Sequence, residues 1–154
     1  MKASSAASRR ARSAGAALTA LAAEQPFTNL RFVVAIDGVQ RTGAVEVVFP
    51  TGRIITAPRG RRQVQFDALV IRRGLTRSTD WYSWWDQARR STRAQRRDVQ
   101  IVLLDSNGSV ALRWIFPDAV PVSYALSPLN ALVGAAMIES LELQVGDFRL
   151  YQTG

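Results

Sequence analysis

The 154-residue sequence has no histidine, no cysteine and a single lysine, Lys2. Without cysteine there is no thiolate nucleophile, no disulfide and no thiolate metal site. Without histidine the usual general base near neutral pH and the commonest metal ligand are also gone. No apolar run approaches the roughly 18 residues that a membrane-spanning helix needs. Asp80, Tyr82 and Asp86 lie close together, but no nucleophile with a partner base accompanies them. Asp105, Asn107 and Ser109 have the spacing of a calcium loop, yet Gly108 stands at the wrong place and no glutamate closes the loop. The sequence has no phosphate-binding glycine loop and no zinc spacing either. A protein that is not an enzyme, with no cofactor, metal or small-molecule substrate, is expected.

What is present is enough apolar side chain, 47% of residues, for a real core, and a divided charge. The net charge is +8, and nineteen of the twenty basic residues are arginine. Residues 1–97 hold 18 basic and 6 acidic side chains, against 2 and 6 in residues 98–154. A cationic end and an anionic end suit nucleic acid, an anionic surface or head-to-tail self-association equally well. Residues 1–25 are Ala, Ser and Arg with Leu18 and Leu21 as the only large hydrophobes. They form a basic extension with little to give a core and only a weak likeness to a secretory or twin-arginine signal. Residues 26–154 are expected to be one domain.

That domain reads as strands. Leu30–Ile36 is β-branched and aromatic and ends at Asp37-Gly38; a second run, Ala44–Phe49, is closed by Pro50-Thr51-Gly52, so the two suggest a hairpin. Arg53–Arg62, with Arg53, Arg59, Arg61, Arg62, Pro58 and Gly60, suggests an exposed loop or extended ribbon. Val64–Ile71 reads as one strand stopped by Arg72-Arg73-Gly74. Ser78-Thr79-Asp80 then signals a helix start, with Ser or Thr as the cap. Trp81, Trp84, Trp85 and Ala88 follow at helical spacing on one face, and Arg89, Arg90, Arg93, Arg96 and Arg97 crowd the far end. The tryptophan stripe is expected in the core, although rings beside arginines can also stack on bases. Val99–Leu104 and Ser109–Phe116 flank Asp105-Ser106-Asn107-Gly108, a hairpin signal. Ala136–Gln144 and Phe148–Tyr151 close the chain around Val145-Gly146-Asp147. The expected fold is mainly β (α+β): two packed antiparallel sheets forming a small β-barrel with one flanking α-helix.

Four blocks in this order resemble the tail-tube protein family of contractile phages and related injection systems, which shares its fold with the tube protein of type VI secretion. They are LRFVVAIDGV, then LVIRRGLTRSTDWYSWW, then DVQIVLLDSNGSVALRWIFPDAVPVSYALSPLNAL, and finally MIESLELQVGDF. The likeness runs from about Phe27 to Tyr151. The stretch PTGRIITAPRGRRQVQ departs from the family, which carries an acidic, glycine-rich turn there, and residues 1–25 have no counterpart.

The resemblance implies homohexameric rings stacked into a tube inside a sheath, with baseplate and cap proteins at its ends. Protein or DNA cargo would occupy the lumen, and no membrane insertion is involved. Assembly would be cytoplasmic, with the protein then residing in a phage tail or injection particle. It also implies that Trp114 and Phe116 anchor a strand, and that Pro117 and Pro121 end its pairing. The 53–62 ribbon would meet acidic residues of the adjoining ring, with Asp118, Glu139, Glu142 and Asp147 as candidates. Arg89, Arg90, Arg93, Arg96 and Arg97 are candidates for lumen or surface cations. A subunit that starts or ends the stack is a variant of this reading. The alternative from another class is a single-stranded nucleic-acid-binding barrel with Trp81, Trp84 and Trp85 as its stacking groove.

Overall fold

In the computed structural model of the protein, the described residues are 9–15, 26–28, 31–41, 43–91, 93 and 95–153. The chain divides into two units, Met1–Leu30 and Arg31–Gly154. In the first, residues 9–15 form an exposed helix, α1; the rest of the expected extension lies outside the described residues. The second unit contains the strands β1 (Phe32–Ile36), β2 (Val39–Arg41), β3 (Ala44–Val48), β4 (Gly52–Thr56), β5 (Arg62–Phe66) and β6 (Leu69–Gly74). The helix α2 (Asp80–Arg90) follows, then β7 (Arg97–Leu104), β8 (Val110–Leu126), β9 (Ile138–Gln144) and β10 (Arg149–Gln152).

The class is mainly β and every pairing is antiparallel. The ladder runs β2-β1-β7-β8-β9-β6-β3, with β10 beside β8 and β4-β5 as a separate ribbon. The two ends of that path do not pair with each other among the described residues, so the expected barrel is open. What joins two sheets into one body is β8. It pairs with β10 up to Ile115 and with β7 up to Ala119; from Val120 it pairs with β9. The change of partner comes just after Pro117-Asp118, where the register to β7 shifts and Asp118 adopts φ 53. A proline has no N–H for the ladder, and a bulge there bends the strand from one sheet into the other. Pro117 and Pro121 thus redirect the pairing; contrary to the sequence reading, they do not end it.

Other expectations are corrected by the register. The run 44–49 does not pair with β1. The Asp37-Gly38 turn, with φ 50 and 77, folds Val39–Arg41 back on β1, and β3 goes to β6. Val64–Ile71 is two strands broken at Asp67-Ala68, and β6 continues through both arginines to Gly74. β9 and β10 do not turn on each other: Gln144 faces Val120 and Arg149 faces Ile115, five residues on along each chain, so they lie end to end along β8.

The core lies between the two sheets and is sealed by α2, which packs on β8. Val34, Val99, Ile101 and Phe116 meet Leu69, Ile71, Leu141 and Leu143 there, with Trp81 and Trp84 from the helix. Thr79 occupies the cap position but makes no side-chain cap bond; the Ser78 hydroxyl donates to Asp80 Oδ1 instead, and the Trp81 N–H donates to the same oxygen.

Candidate functional site

Within Arg31–Gly154 the strands with least support from their own chain are those of the β4-β5 ribbon. Its five ladder pairs run from Gly52–Phe66 to Thr56–Arg62, and every residue but Phe66 is exposed. Paired residues share a face, so Ile54 and Val64, 66% and 56% exposed, stand together beyond Phe66. Phe66 is the root: its ring lies 5.4 Å from Phe148, which is 5.3 Å from Phe116 in the core. Gly52 makes room for it, since a Cβ there would meet the Phe66 ring at 2.8 Å. At the tip Ala57 N–H donates to the Arg61 carbonyl at 2.7 Å, and the chain reverses through Pro58 with Arg59 and Gly60 at φ 75 and 74. A left-handed arginine is strained, since only glycine enters that region freely.

The ribbon's cations differ in how they are held. Arg53 donates two bonds to the Asp67 carboxylate at the ribbon's own base; these bonds hold that carboxyl below its usual range and raise the guanidinium. Arg59, Arg61 and Arg62 are exposed at the tip. Of their expected acidic counterparts, Asp118 and Asp147 are exposed and Glu142 is half-buried on the outer face of β9. Glu139 is a correction. It is 1% exposed and fully engaged, so no adjoining surface can reach it.

The group that engages Glu139 was not anticipated. Arg73 stands directly across from it on β6. Its guanidinium pairs with the carboxylates of Glu139 and Asp80 and lies 4.0 Å from the centroid of the Trp81 ring. Tyr124 donates to the second Glu139 oxygen at 2.6 Å. Burial and that bond push the phenol up to about 12. Burial also opposes the charge on Arg73, but its bonds to Asp80 and Glu139 win and hold it protonated. This network ties β6, β8, β9 and α2 together. It leaves Asp80 ion-paired, as Asp86 is by Arg90 and Arg89, whose bonds lower its carboxyl. Neither carboxylate of the Asp80, Tyr82 and Asp86 grouping is a free acid.

The remaining arginines sort by partner. Arg89 lies over Trp85, and Arg97 lies over Trp84 with its Nε 3.8 Å from Asp37. Arg93 and Arg96 are exposed and line a cleft with Asp118, Val120 and Gln144. Trp81 and Trp84 are each 1% exposed, so neither can stack on a base, and the nucleic-acid groove is overturned. Trp85 is half-buried in a cluster with Tyr82 and Tyr124. Phe116 is fully buried; Trp114, half-buried, lies 4.8 Å from Phe49.

Open edges complete the picture. β3 presents Val45 and Val48 to solvent, with Phe49 just beyond it, and β10 presents Leu150 and Tyr151. Strands with one unpaired edge and exposed apolar side chains are templates for another chain. Among the described residues no helix is long and apolar enough to cross a membrane.

The sequence matches the family described as T4-like virus tail tube protein gp19 over residues 28–149. No protein of curated function matches it. Among solved structures, the chain is similar to one from the anti-feeding prophage baseplate, with 22% identity, a TM-score of 0.66 and coverage of 84% of this chain and 97% of that one. A chain of the sheath-tube complex of the extracellular contractile injection system PVC has 15% identity and a TM-score of 0.64, covering 88% and 97%. Hcp1 from Flavobacterium johnsoniae has 14% identity and a TM-score of 0.60, covering 79% and 95%.

Proposed function

The chain belongs to the T4-like virus tail tube family, and from that premise we propose that it is an inner-tube subunit of a contractile phage tail or injection system, forming hexameric rings that stack into a conduit. The observation that carries this reading is the open ladder. The outer edges of β3 and β10 expose Val45, Val48, Leu150 and Tyr151, with Phe49 just beyond β3, and pairing with the next copy around a closed ring satisfies both the backbone and the apolar side chains. Rotation about one axis closes a ring, and translation along it stacks rings head to tail.

The tube's outer wall meets a sheath, and its ends meet baseplate and cap proteins. Protein or DNA passes through its lumen, with assembly in the cytoplasm before the particle acts. The tube performs no chemistry; the work of injection comes from the sheath. The ribbon's Arg59, Arg61 and Arg62 meet carboxylates of an adjoining copy, with Asp118, Glu142 and Asp147 as the acceptors left once buried Glu139 is set aside. Since the ribbon departs from the family in sequence, a subunit specialised to start or end the stack is the variant to test beside the main tube subunit.

Negative-stain electron microscopy of the purified protein at low and moderate salt tests the assembly. Rings with a central channel, alone or stacked, are the expected result; monomers at every salt and concentration would refute it. Reversing Arg59, Arg61 and Arg62 to Glu is expected to shorten the stacks. Unchanged length and salt sensitivity would remove the charge pairing.

A further inference from the structure

The bend in β8 leaves a cleft beside it. β7 begins at Arg97 opposite Ala119, and β9 ends at Gln144 opposite the next residue, Val120. The segment entering β7 and the segment leaving β9 therefore flank one point on β8, and a cleft of about 360 Å³ opens between them. Arg93 and Arg96 come from the first segment, Gln144 and Gly146 from the second, and Asp118 and Val120 from β8 itself. The β8 side is fixed by backbone bonds. Asp118 N–H donates to Asp98 Oδ1 at 3.1 Å, Asp98 N–H donates to Asp37 Oδ1 at 3.1 Å, and Asp37 N–H donates to the Asp98 carbonyl at 2.9 Å.

The two arginines differ from their neighbours along the chain. Arg89 and Arg90 are held by Asp86, and Arg97 lies over Trp84 near Asp37. Among the described residues Arg93 and Arg96 have no ion pair, and neither has Asp118. Two cations and one carboxylate leave the cleft with a single uncompensated positive charge. A free guanidinium presents a planar fork of donors that matches a carboxylate or a phosphate. The surroundings decide between the two. Asp118 stands in the cleft, Asp98 is hydrogen-bonded to it, and Asp147 follows Gly146. The successive phosphates of a nucleic acid would run against these carboxylates, and a phosphate dianion would overfill the one spare charge. A lone carboxylate brings the cleft to neutrality, and Val120 offers an apolar contact to an aliphatic residue beside it.

We propose that this cleft binds an acidic peptide segment of a partner protein, with a glutamate or aspartate side chain taken between Arg93 and Arg96 and an aliphatic neighbour against Val120. The occupant is a different protein because this chain's own carboxylates are engaged. Among the described residues those before Asp98 have arginines of their own, and Glu139 is buried against Arg73. Asp105 accepts from the N–H groups of Asn107 and Ser109, and Asp98 accepts from Asp118. Glu142 and Asp147 are the acceptors proposed for the ribbon tip. The inference goes beyond the tube reading, since it concerns what a folded subunit recruits, whether alone or in a ring.

Surface plasmon resonance over the immobilised peptide GALELAG, with GALQLAG as the reference surface, tests this. The protein should bind the first and not the second, and the affinity should fall as salt rises. Arg93→Gln with Arg96→Gln should weaken binding by about tenfold or more. Gly146→Glu should abolish it by supplying a carboxylate from the cleft's own wall; a Cβ there meets nothing within 4 Å, so the urea midpoint should not move. Equal binding to both peptides, a double-glutamine variant that binds like the wild type, or competition by inorganic phosphate or oligothymidylate as strong as by free GALELAG would overturn the proposal. Self-association lost both in Arg93→Gln with Arg96→Gln and in Glu142→Gln with Asp147→Asn would overturn it too, by making the occupant another copy. Rings without peptide binding leave the tube reading standing, whereas peptide binding by a subunit that never forms rings supports the cleft and removes the tube.

Discussion

Replacing Glu139 by Ala removes the carboxylate that faces Arg73 across β6 and β9 and accepts from Tyr124. Both members of the pair are buried, and breaking such a pair from one side costs about 3–5 kcal/mol because the surviving charge stays out of water. Here Arg73 keeps Asp80 and the Trp81 ring, so the lower end applies, about 3 kcal/mol. For a domain of this size that is a melting temperature lower by roughly 6–12 °C. The assay is urea unfolding of the dilute, unassembled subunit followed by fluorescence of buried Trp81 and Trp84. The midpoint should fall with an unchanged slope, the signature of a stability change without a change in surface exposed. The double variant Arg73→Met with Glu139→Leu should recover most of the loss, since removing both charges leaves neither unpaired. A loss below about 1 kcal/mol accompanied by altered stacking would refute the reasoning and return Glu139 to the interface that its sequence position suggested.

Trp81 and Trp84 are equally buried, but Trp84 Nε1 donates to the Gln95 carbonyl at 2.8 Å while Trp81 Nε1 has no hydrogen-bond partner. Trp84→Phe should therefore cost about 1 kcal/mol more than Trp81→Phe in the same unfolding assay. Gly52→Ala forces a Cβ against a Phe66 ring already packed on Phe148. The root should loosen by about 1–3 kcal/mol, read as faster amide exchange through β4 and β5 with the core unaffected. The Tyr124 phenol, raised to about 12 in the fold from about 10 unfolded, stabilises fully below pH ~10, and that stability is lost as pH rises through 12. Tyr124→Phe should flatten this alkaline slope, and equal slopes in both proteins would contradict the assignment.

Much of this was legible in the sequence, and the part that was not has a physical cause. The tryptophan stripe, the 105–108 turn and the exposure of 53–62 follow from local periodicity and turn chemistry, and each stands in the structure. Register was less accessible. Whether 44–49 returns to β1 or crosses to β6 depends on a two-residue turn at Asp37-Gly38 that absorbs the hairpin signal after three residues of β2. The Arg73–Glu139 pair did leave a signal: period-two alternation puts Arg73 on the face of Leu69 and Ile71, and Glu139 on the face of Leu141 and Leu143. Charge was read as surface where alternation said core. The long β8 was misread because two prolines usually end a ladder. Here they sit at the bend where the strand passes from one sheet to the other.

The charge division also takes on a different meaning once partners are assigned. Among the described residues before Asp98, each carboxylate has an arginine: Asp37 with Arg97, Glu46 with Arg72, Asp67 with Arg53, Asp80 with Arg73, and Asp86 with Arg89 and Arg90. These pairs take up six of the eighteen basic side chains of residues 1–97, so that half keeps its positive excess, part of it at the exposed ribbon tip. On the proposed stacking, the apolar middle of the ribbon and its charged tip contribute separately to one contact. Burial of Ile54 and Val64 is insensitive to salt, while pairing of Arg59, Arg61 and Arg62 is screened over about 10 Å at 0.1 M ionic strength. Adding salt should therefore shorten stacks without dissolving them. Stacks that vanish with salt alone would mean that the charged tip, and not the ribbon's apolar middle, holds the rings together.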